Sequence, residues 1–458
     1  SMSGSFEHLD VPPTLISFAV ASGRLQDVVS PELKRPGHTL VWLQPELGED
    51  GLPVAASLLQ NFARALDLMR KGKVAAASTP KYGGAGYALY QMALGNGIGV
   101  ELNSVLSLGT LFSPAYGSLI LELTEDLPVG IPLGRTIQES ALVHGDQRIS
   151  LEELRVPYES KLEGVFPMQR AAKEEKAPLI TSPHKPLKGV HIARPRVLIP
   201  AFPGTNCEED TARAFERAGA VPQVLLIRNI RPELVRQSVD AMAQALRQSQ
   251  IVLIPGGFSG GDEPDGSGKF ITAFFRSAPI REAVEDLLQK RRGLVGGICN
   301  GFQALIKLGL LPFGRIRDMD AHCPTLTHNL IGRHQSKLVT VRVVSNLSPW
   351  YSLSPVGSLQ TLPISHGEGR FLCPPVLLQQ LADAGQIATQ YADAEGRPSM
   401  DIQHNPNGSD WAVESLTSPD GLVMGRMGHA ERALEGLYRN TPTTGEDPLF
   451  RSAVAYYS

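Results

Sequence analysis

Apolar residues along this chain follow two spacings. Short apolar runs alternate with longer stretches whose apolar positions return every three or four residues, and the alternation is most regular after residue 195. RVLIPAF reads as a strand, and CEEDTARAFERAGA as an amphipathic helix with acidic residues in its first turn, which suits the helix dipole. VPQVLLI is the next strand, and PELVRQSVDAMAQALRQ the next helix, with Pro232 at its start. IVLIPGG is a strand, ITAFFRSAPIREAVEDLLQKR is largely helical, and GLVGGIC is a strand running into NGFQALIKLG. This order predicts a parallel, doubly wound sheet with its ligand site at the carboxyl ends of the strands.

The preceding sections differ. HTLVWLQPE, residues 38–46, reads as a strand. VAASLLQNFARALDLMRKGKV, residues 54–74, reads as a helix and turn, and YGGAGYALYQMALGNGIGVEL, residues 82–102, as a Gly-rich turn, a helix and a strand. The pattern is α+β. Residues 166–195 are rich in Pro, Lys and His without a clear period and read as an extended linker, because Pro breaks helices and lacks a backbone donor. The expected organisation is therefore an α+β domain over 1–165, a linker over 166–195 and an α/β domain over 196–458.

Composition excludes little beyond this. The chain of 458 residues is 42% hydrophobic and 19% charged, with a net charge of −3, so nothing global points to nucleic acid or a membrane surface. No apolar run reaches the roughly 18 residues of a membrane span, and no signal peptide is expected. Ser1-Met2 reads as a cloning remnant. The four cysteines form no CxxC pair and no disulfide framework, so no metal site is expected and a reducing cytoplasm is the natural compartment. Cys207, Cys323 and Cys373 read as small buried side chains.

Cys299 stands apart. Gly297-Ile298-Cys299-Asn300-Gly301 lies between an apolar strand and a helical run and has the form of a nucleophile elbow with Cys at its apex. A helix N-terminus favours the thiolate, the reactive species, and the N–H of Asn300 would face a developing oxyanion. On its own the segment is also read as a packing turn around a buried thiol. Gly257 and Phe258 end the preceding strand beside the elbow and offer a second oxyanion donor. Near the C-terminus, His429 and Glu431 are spaced to face one way on an extended segment. They could supply a base and the carboxylate that fixes its tautomer.

With these residues in view, the chain resembles the C-terminal part of the large, fused phosphoribosylformylglycinamidine synthases, the formylglycinamide ribonucleotide amidotransferases of the purine pathway. PGTNCEED, PGGFSGGD, GGICNGFQ, PISHGEGR, NPNGS and GHAER carry the likeness, in that order, across residues 196–458. The resemblance implies a class I glutamine amidotransferase domain, flavodoxin-like, with Cys299 as nucleophile, His429 as base and Glu431 as its orienter. It implies oxyanion donors at Gly257, Phe258 and Asn300, and Gln303 lining the glutamine pocket. His366, Glu368 and Arg370 are placed near the glutamine site or on a face towards a synthetase. The chain departs from the commoner PHPER form at Gly428 and Ala430, which bears on the loop's rigidity more than on its chemistry.

The N-terminal section resembles the C-terminal subdomain of aminoimidazole-ribonucleotide-synthetase-like modules. Active copies carry an SDGG turn; residues 79–84, TPKYGG, lack the Asp, so this section looks like the degenerate copy of the fused enzyme. The resemblance implies L-glutamine as substrate, no cofactor for the glutaminase, and ATP with Mg2+ on a synthetase portion that this sequence lacks. A non-catalytic assembly domain and a DJ-1-like cysteine hydrolase are the alternatives. HGEGR and NPNGS argue against the hydrolase, and the intact Cys-His-Glu set argues against the assembly domain.

Overall fold

A computed structural model describes residues 2–6, 9–15, 17–161, 163, 176–259, 267–438, 441 and 443–458. The chain divides into two compact units, Ser1–Gly164 and Val165–Ser458.

In the first unit a seven-stranded sheet runs in the order Val74–Ser78, Leu119–Leu123, Thr39–Leu43, Ile131–Ile137, Gly99–Leu102, Ala141–His144, Gln147–Ser150. Its pairings are antiparallel except that between Gly99–Leu102 and Ala141–His144. The helix Gly84–Asn96 is buried along most of its length, because Gly and Ala at its start let neighbouring backbone close in. The longer helix Ala55–Arg70 buries only Ala65 among its described residues. Both helices and the strands Thr39–Leu43 and Gly99–Leu102 stand where the apolar spacing puts them, the first of these strands ending before the expected Gln44–Glu46.

The second unit is built on a nine-stranded sheet in the order Val221–Leu226, Arg196–Ala201, Ile251–Ile254, Leu294–Ile298, Val423–Arg426, Val413–Thr417, Ile387–Tyr391, Gln335–Val343, Leu359–His366. The first five strands are mutually parallel. Four come from the strand–helix alternation, and the fifth enters from far down the chain. The remaining four are antiparallel, so the sheet is mixed α/β. The four alternating strands are apolar runs; Ile251–Ile254 and Leu294–Ile298, inside the sheet, are buried throughout, as strands covered on both faces are. Val221–Leu226 lies at the sheet's edge and is mostly exposed.

Residues 166–175 of the expected linker lie outside the described residues. Residues 176–195 form no helix, as their Pro content requires, but they are strapped to the second unit. The N–H groups of Ile180 and His184 donate to Gln390 Oε1 and Asn346 Oδ1, and those of Gly189 and Ile192 to the carbonyls of Tyr456 and Tyr457. Among the described residues no helix is long and apolar enough to cross a membrane.

Candidate active site

The strand Leu294–Ile298 hands over to the helix Asn300–Leu308 at Cys299, whose backbone has φ +51° and ψ −106°. A non-glycine residue there is strained, and strain of this kind persists only where the surroundings fix it. Two constraints do so. The N–H of Cys299 donates to the carbonyl of Arg426 at 2.8 Å on the adjacent parallel strand. The helix start presses on the strand Ile251–Ile254 so closely that a Cβ at Gly301 would lie 2.1 Å from the Ile254 carbonyl oxygen. Cys299 is 5% exposed, and its sulfur lies 3.9 Å from the Ser365 carbonyl oxygen.

His429 and Glu431 follow the neighbouring strand Val423–Arg426, so parallel pairing brings them to the same sheet edge as Cys299. His429 Nδ1 lies 2.7 Å from Glu431 Oε1, and both side chains are buried. Burial alone would favour neutral forms of both. Their mutual attraction wins: the carboxylate, with help from the sulfurs of Cys207 and Cys299, holds His429 well above the ordinary imidazole range, and His429 holds Glu431 below the carboxylate range. Nδ1 is thus fixed as the donor towards Glu431, leaving Nε2, which has no protein partner, for chemistry.

Gly256 makes room for this arrangement. A Cβ there would sit 2.8 Å from His429 Cε1 and 3.4 Å from Cys299 Cβ. Gly256→Ala is therefore expected to lower glutaminase turnover about a hundredfold by displacing the imidazole. A melting temperature close to wild type would show that the fold survives, and unchanged kcat would refute the close approach.

The other expected residues divide. Gly257, Phe258, Cys299, Gln303, His366 and Glu368 line a narrow cleft together. Its volume of about 10 Å³ is room for one water. Among the described residues the N–H groups of Gly257, in the cleft wall, and of Asn300, next to Cys299 in the chain, make no hydrogen bond. Phe258 differs from expectation: its N–H is committed to the Gly204 carbonyl at 2.8 Å, because the turn pairs with residues 204–206, so its backbone is no oxyanion donor. Residues 260–262 of the same motif lie outside the described residues. The Asn300 side chain accepts from Ser259 Oγ at 2.6 Å and donates to Gln303 Oε1 at 3.0 Å, and Gln303 Nε2 donates to the Glu368 carbonyl.

His366 is fully enclosed; burial and the charges of His429 and His334 pull its pKa down to about 3, so it is neutral. Arg370 does not line the cleft, which leaves the other placement, on a face towards a synthetase, as its expectation; its Nε donates to the Gly408 carbonyl at 3.2 Å, tying the NPNGS turn to the strand Glu368–Leu372.

Two residues that sequence reasoning did not single out belong here. Buried Asn329 accepts from the Gly369 N–H at 3.1 Å and donates to the His366 carbonyl at 2.8 Å, which shapes the HGEG turn. Cys207, read above as a small buried side chain, lies with its sulfur 3.7 Å from His429 Nδ1. Burial pushes its thiol up, so it stays neutral and donates to Asn206 Oδ1. The donor atoms of Cys207, His429 and Glu431 lie within 4.8 Å of one another, and among the described residues this is the group able to hold a metal ion. An ion there would take the nitrogen that Glu431 already holds.

Residues 194–457 match the family described as CobB/CobQ-like glutamine amidotransferase domain. A phosphoribosylformylglycinamidine synthase subunit PurQ from Thermus thermophilus is 35% identical over 246 residues, which is 54% of this chain and 93% of the relative. The PurQ subunit of a Synechocystis species is 36% identical over 240 residues, 52% of this chain and 93% of the relative. The solved PurLQS structure from Thermotoga maritima aligns with 58% of this chain and 97% of its own matched chain, at 25% identity and a TM-score of 0.41. The family match spans more than half of the chain and takes in the strained turn at Cys299 and the His429–Glu431 pair, and this chain belongs to the CobB/CobQ-like glutamine amidotransferase domain family.

Proposed function

We propose that the chain is the glutaminase part of a phosphoribosylformylglycinamidine synthase, supplying ammonia for the conversion of formylglycinamide ribonucleotide to formylglycinamidine ribonucleotide. The observation that carries the reading is the buried His429–Glu431 ion pair beside Cys299 on a strained strand-to-helix turn. The PurQ relatives support the pathway.

The Cys299 thiolate attacks the carboxamide carbon of glutamine. The oxyanion forms beside the N–H groups of Gly257 and Asn300. His429, protonated through its pairing with Glu431, gives its proton from Nε2 to the departing nitrogen, and ammonia leaves a glutamyl thioester. Water then adds as His429 takes a proton from it at Nε2, the C–S bond breaks, and glutamate leaves with the Cys299 thiolate and the protonated His429 restored. Side chains and backbone do all of this without a cofactor. Gln303 and Glu368 shape the cleft, and its closed form requires its wall to yield before glutamine enters.

Enclosure of the product matters, because free ammonia at neutral pH is mostly ammonium, which is no nucleophile. The ATP- and Mg2+-dependent step belongs to a synthetase portion joined to this chain in the fused form of the enzyme. The first unit serves as the degenerate copy of the aminoimidazole-ribonucleotide-synthetase-like module: its turn at residues 81–84 carries no carboxylate to hold a metal on nucleotide phosphates.

Labelling with 6-diazo-5-oxo-L-norleucine tests the nucleophile. Mass spectrometry should find the adduct on Cys299; its absence would favour a non-catalytic assembly domain or a DJ-1-like hydrolase. A second assay tests the division of labour. Given ATP, Mg2+ and ammonium salts, this chain is expected to make no formylglycinamidine ribonucleotide, while a separately expressed synthetase portion should restore synthesis and raise glutaminase turnover. Product from this chain alone would overturn the degenerate assignment.

A further inference from the structure

A buried charge cluster connects the two halves of the site. Arg426 is 0% exposed, Glu414 1% and Asp447 4%. The Arg426 guanidinium lies 3.2 Å from Glu414 Oε2 and 2.9 Å from Asp447 Oδ2. Thr389 Oγ1 also donates to Glu414, and the Tyr351 ring lies 5.9 Å from the guanidinium. Buried ion pairs are weak sources of stability, since desolvation offsets most of their attraction, so this cluster calls for a role.

Its connections supply one. The carbonyl of Arg426 receives the N–H of Cys299, which fixes the elbow. Glu414 Oε1 receives the N–H of Gly428 at 2.7 Å, one residue before His429. The commoner PHPER form of this loop has Pro at that position, and Pro has no N–H to give. Glycine also permits the approach, because a Cβ at 428 would lie 2.8 Å from Leu362 Cδ1 and 3.1 Å from Glu414 Oε1. The loop's next N–H groups are bonded too, His429 to the Pro363 carbonyl at 2.9 Å and Ala430 to that of Gly428 at 3.2 Å. Here backbone hydrogen bonds replace the stiffness that prolines would give.

We propose that Glu414, held by Arg426, is a positioning residue for the base: through the Gly428 N–H it sets His429 against Cys299. This rests on the reading of Cys299 and His429 as nucleophile and base. Asp447 holds the far side of the guanidinium and keeps Arg426 paired.

The test uses the full chain and two readouts, glutaminase kinetics and the pH profile of Cys299 alkylation by iodoacetamide, followed by mass spectrometry so that Cys207 is not counted. Glu414→Gln is expected to lower kcat by about tenfold to a hundredfold. KM should stay within about twofold. The alkylation profile should move towards that of His429→Ala. A cluster with only a structural role would lower the melting temperature and leave kcat per folded molecule and the profile unchanged, which would overturn the proposal. If Glu414→Gln does not fold, Glu414→Asp decides the matter: it keeps a carboxylate beside Arg426 but is one methylene too short to hold the Gly428 N–H as well, so it should give the same fall in kcat and the same move of the profile. A Glu414→Asp chain with wild-type kcat and profile would overturn the proposal. An unchanged profile in His429→Ala itself would instead sink the assignment of the base, and this proposal with it.

Discussion

Replacing Cys299 with Ala is expected to lower glutaminase turnover by about 10⁶, the scale on which loss of a triad nucleophile acts elsewhere. The reason is its place: among the described residues Cys299, at the carboxyl end of the strand Leu294–Ile298, is the cysteine that lines the cleft. Cys373 is buried elsewhere with its thiol pushed up to about 12, and Cys323 is held by Asp320. Cys323→Ser and Cys373→Ser should therefore keep turnover within about twofold of wild type. Cys207→Ser is expected to lie between these limits, because its sulfur touches the imidazole without facing the cleft. Steady-state ammonia release from purified variants measures all four. A loss at Cys323 or Cys373 comparable to that at Cys299 would sink the assignment.

Glu431→Gln should leave the fold in place and lower turnover by about 10⁴, the cost when a buried carboxylate no longer fixes a catalytic imidazole. In the native chain Glu431 keeps His429 charged despite its burial. Without that charge, burial pulls the imidazole towards the neutral form, and the proton for the leaving ammonia is lost.

The same pair governs stability against pH. His429 is raised above its ordinary value of 6.5, so its contribution is full below that pH and is lost as pH rises through the folded value. Glu431 is lowered below its ordinary 4.5, so its contribution is present above that pH and is lost as pH falls through the folded value. In Glu431→Gln a buried imidazole resists protonation while the unfolded chain accepts it. The melting-temperature gap between wild type and variant should therefore widen as pH falls from about 9 to about 6. A gap independent of pH, with turnover unchanged, would show that Glu431 is not paired with His429.

The sequence by itself determined the first half of the large sheet, the strand-to-helix turn at Cys299 and the residues proposed for the site. The strands Arg196–Ala201, Ile251–Ile254 and Leu294–Ile298 are legible because strands covered on both faces are short apolar runs, and their helices repeat with a helical period. The turn at Cys299 is legible because glycines stand on both sides of one cysteine between an apolar strand and a helical run, and the motifs around it separate it from a packing turn.

What the tertiary structure decided is everything that depends on which distant residues meet. The strand Val423–Arg426 pairs in parallel with Leu294–Ile298, and only that pairing carries His429 and Glu431 to Cys299. The antiparallel half of the sheet, from Gln335–Val343 to Val413–Thr417, was not read from the pattern; its strands mix polar residues such as Thr389 and Glu414 into buried positions, where a partner satisfies them only in the fold. The same reason hid Asn329 and the contact of Cys207 with His429, and it committed the Phe258 N–H to the Gly204 carbonyl and the Arg370 guanidinium to that of Gly408. A hydrogen bond's donor is written in the sequence, but its acceptor is set by the packing of residues far apart in the chain.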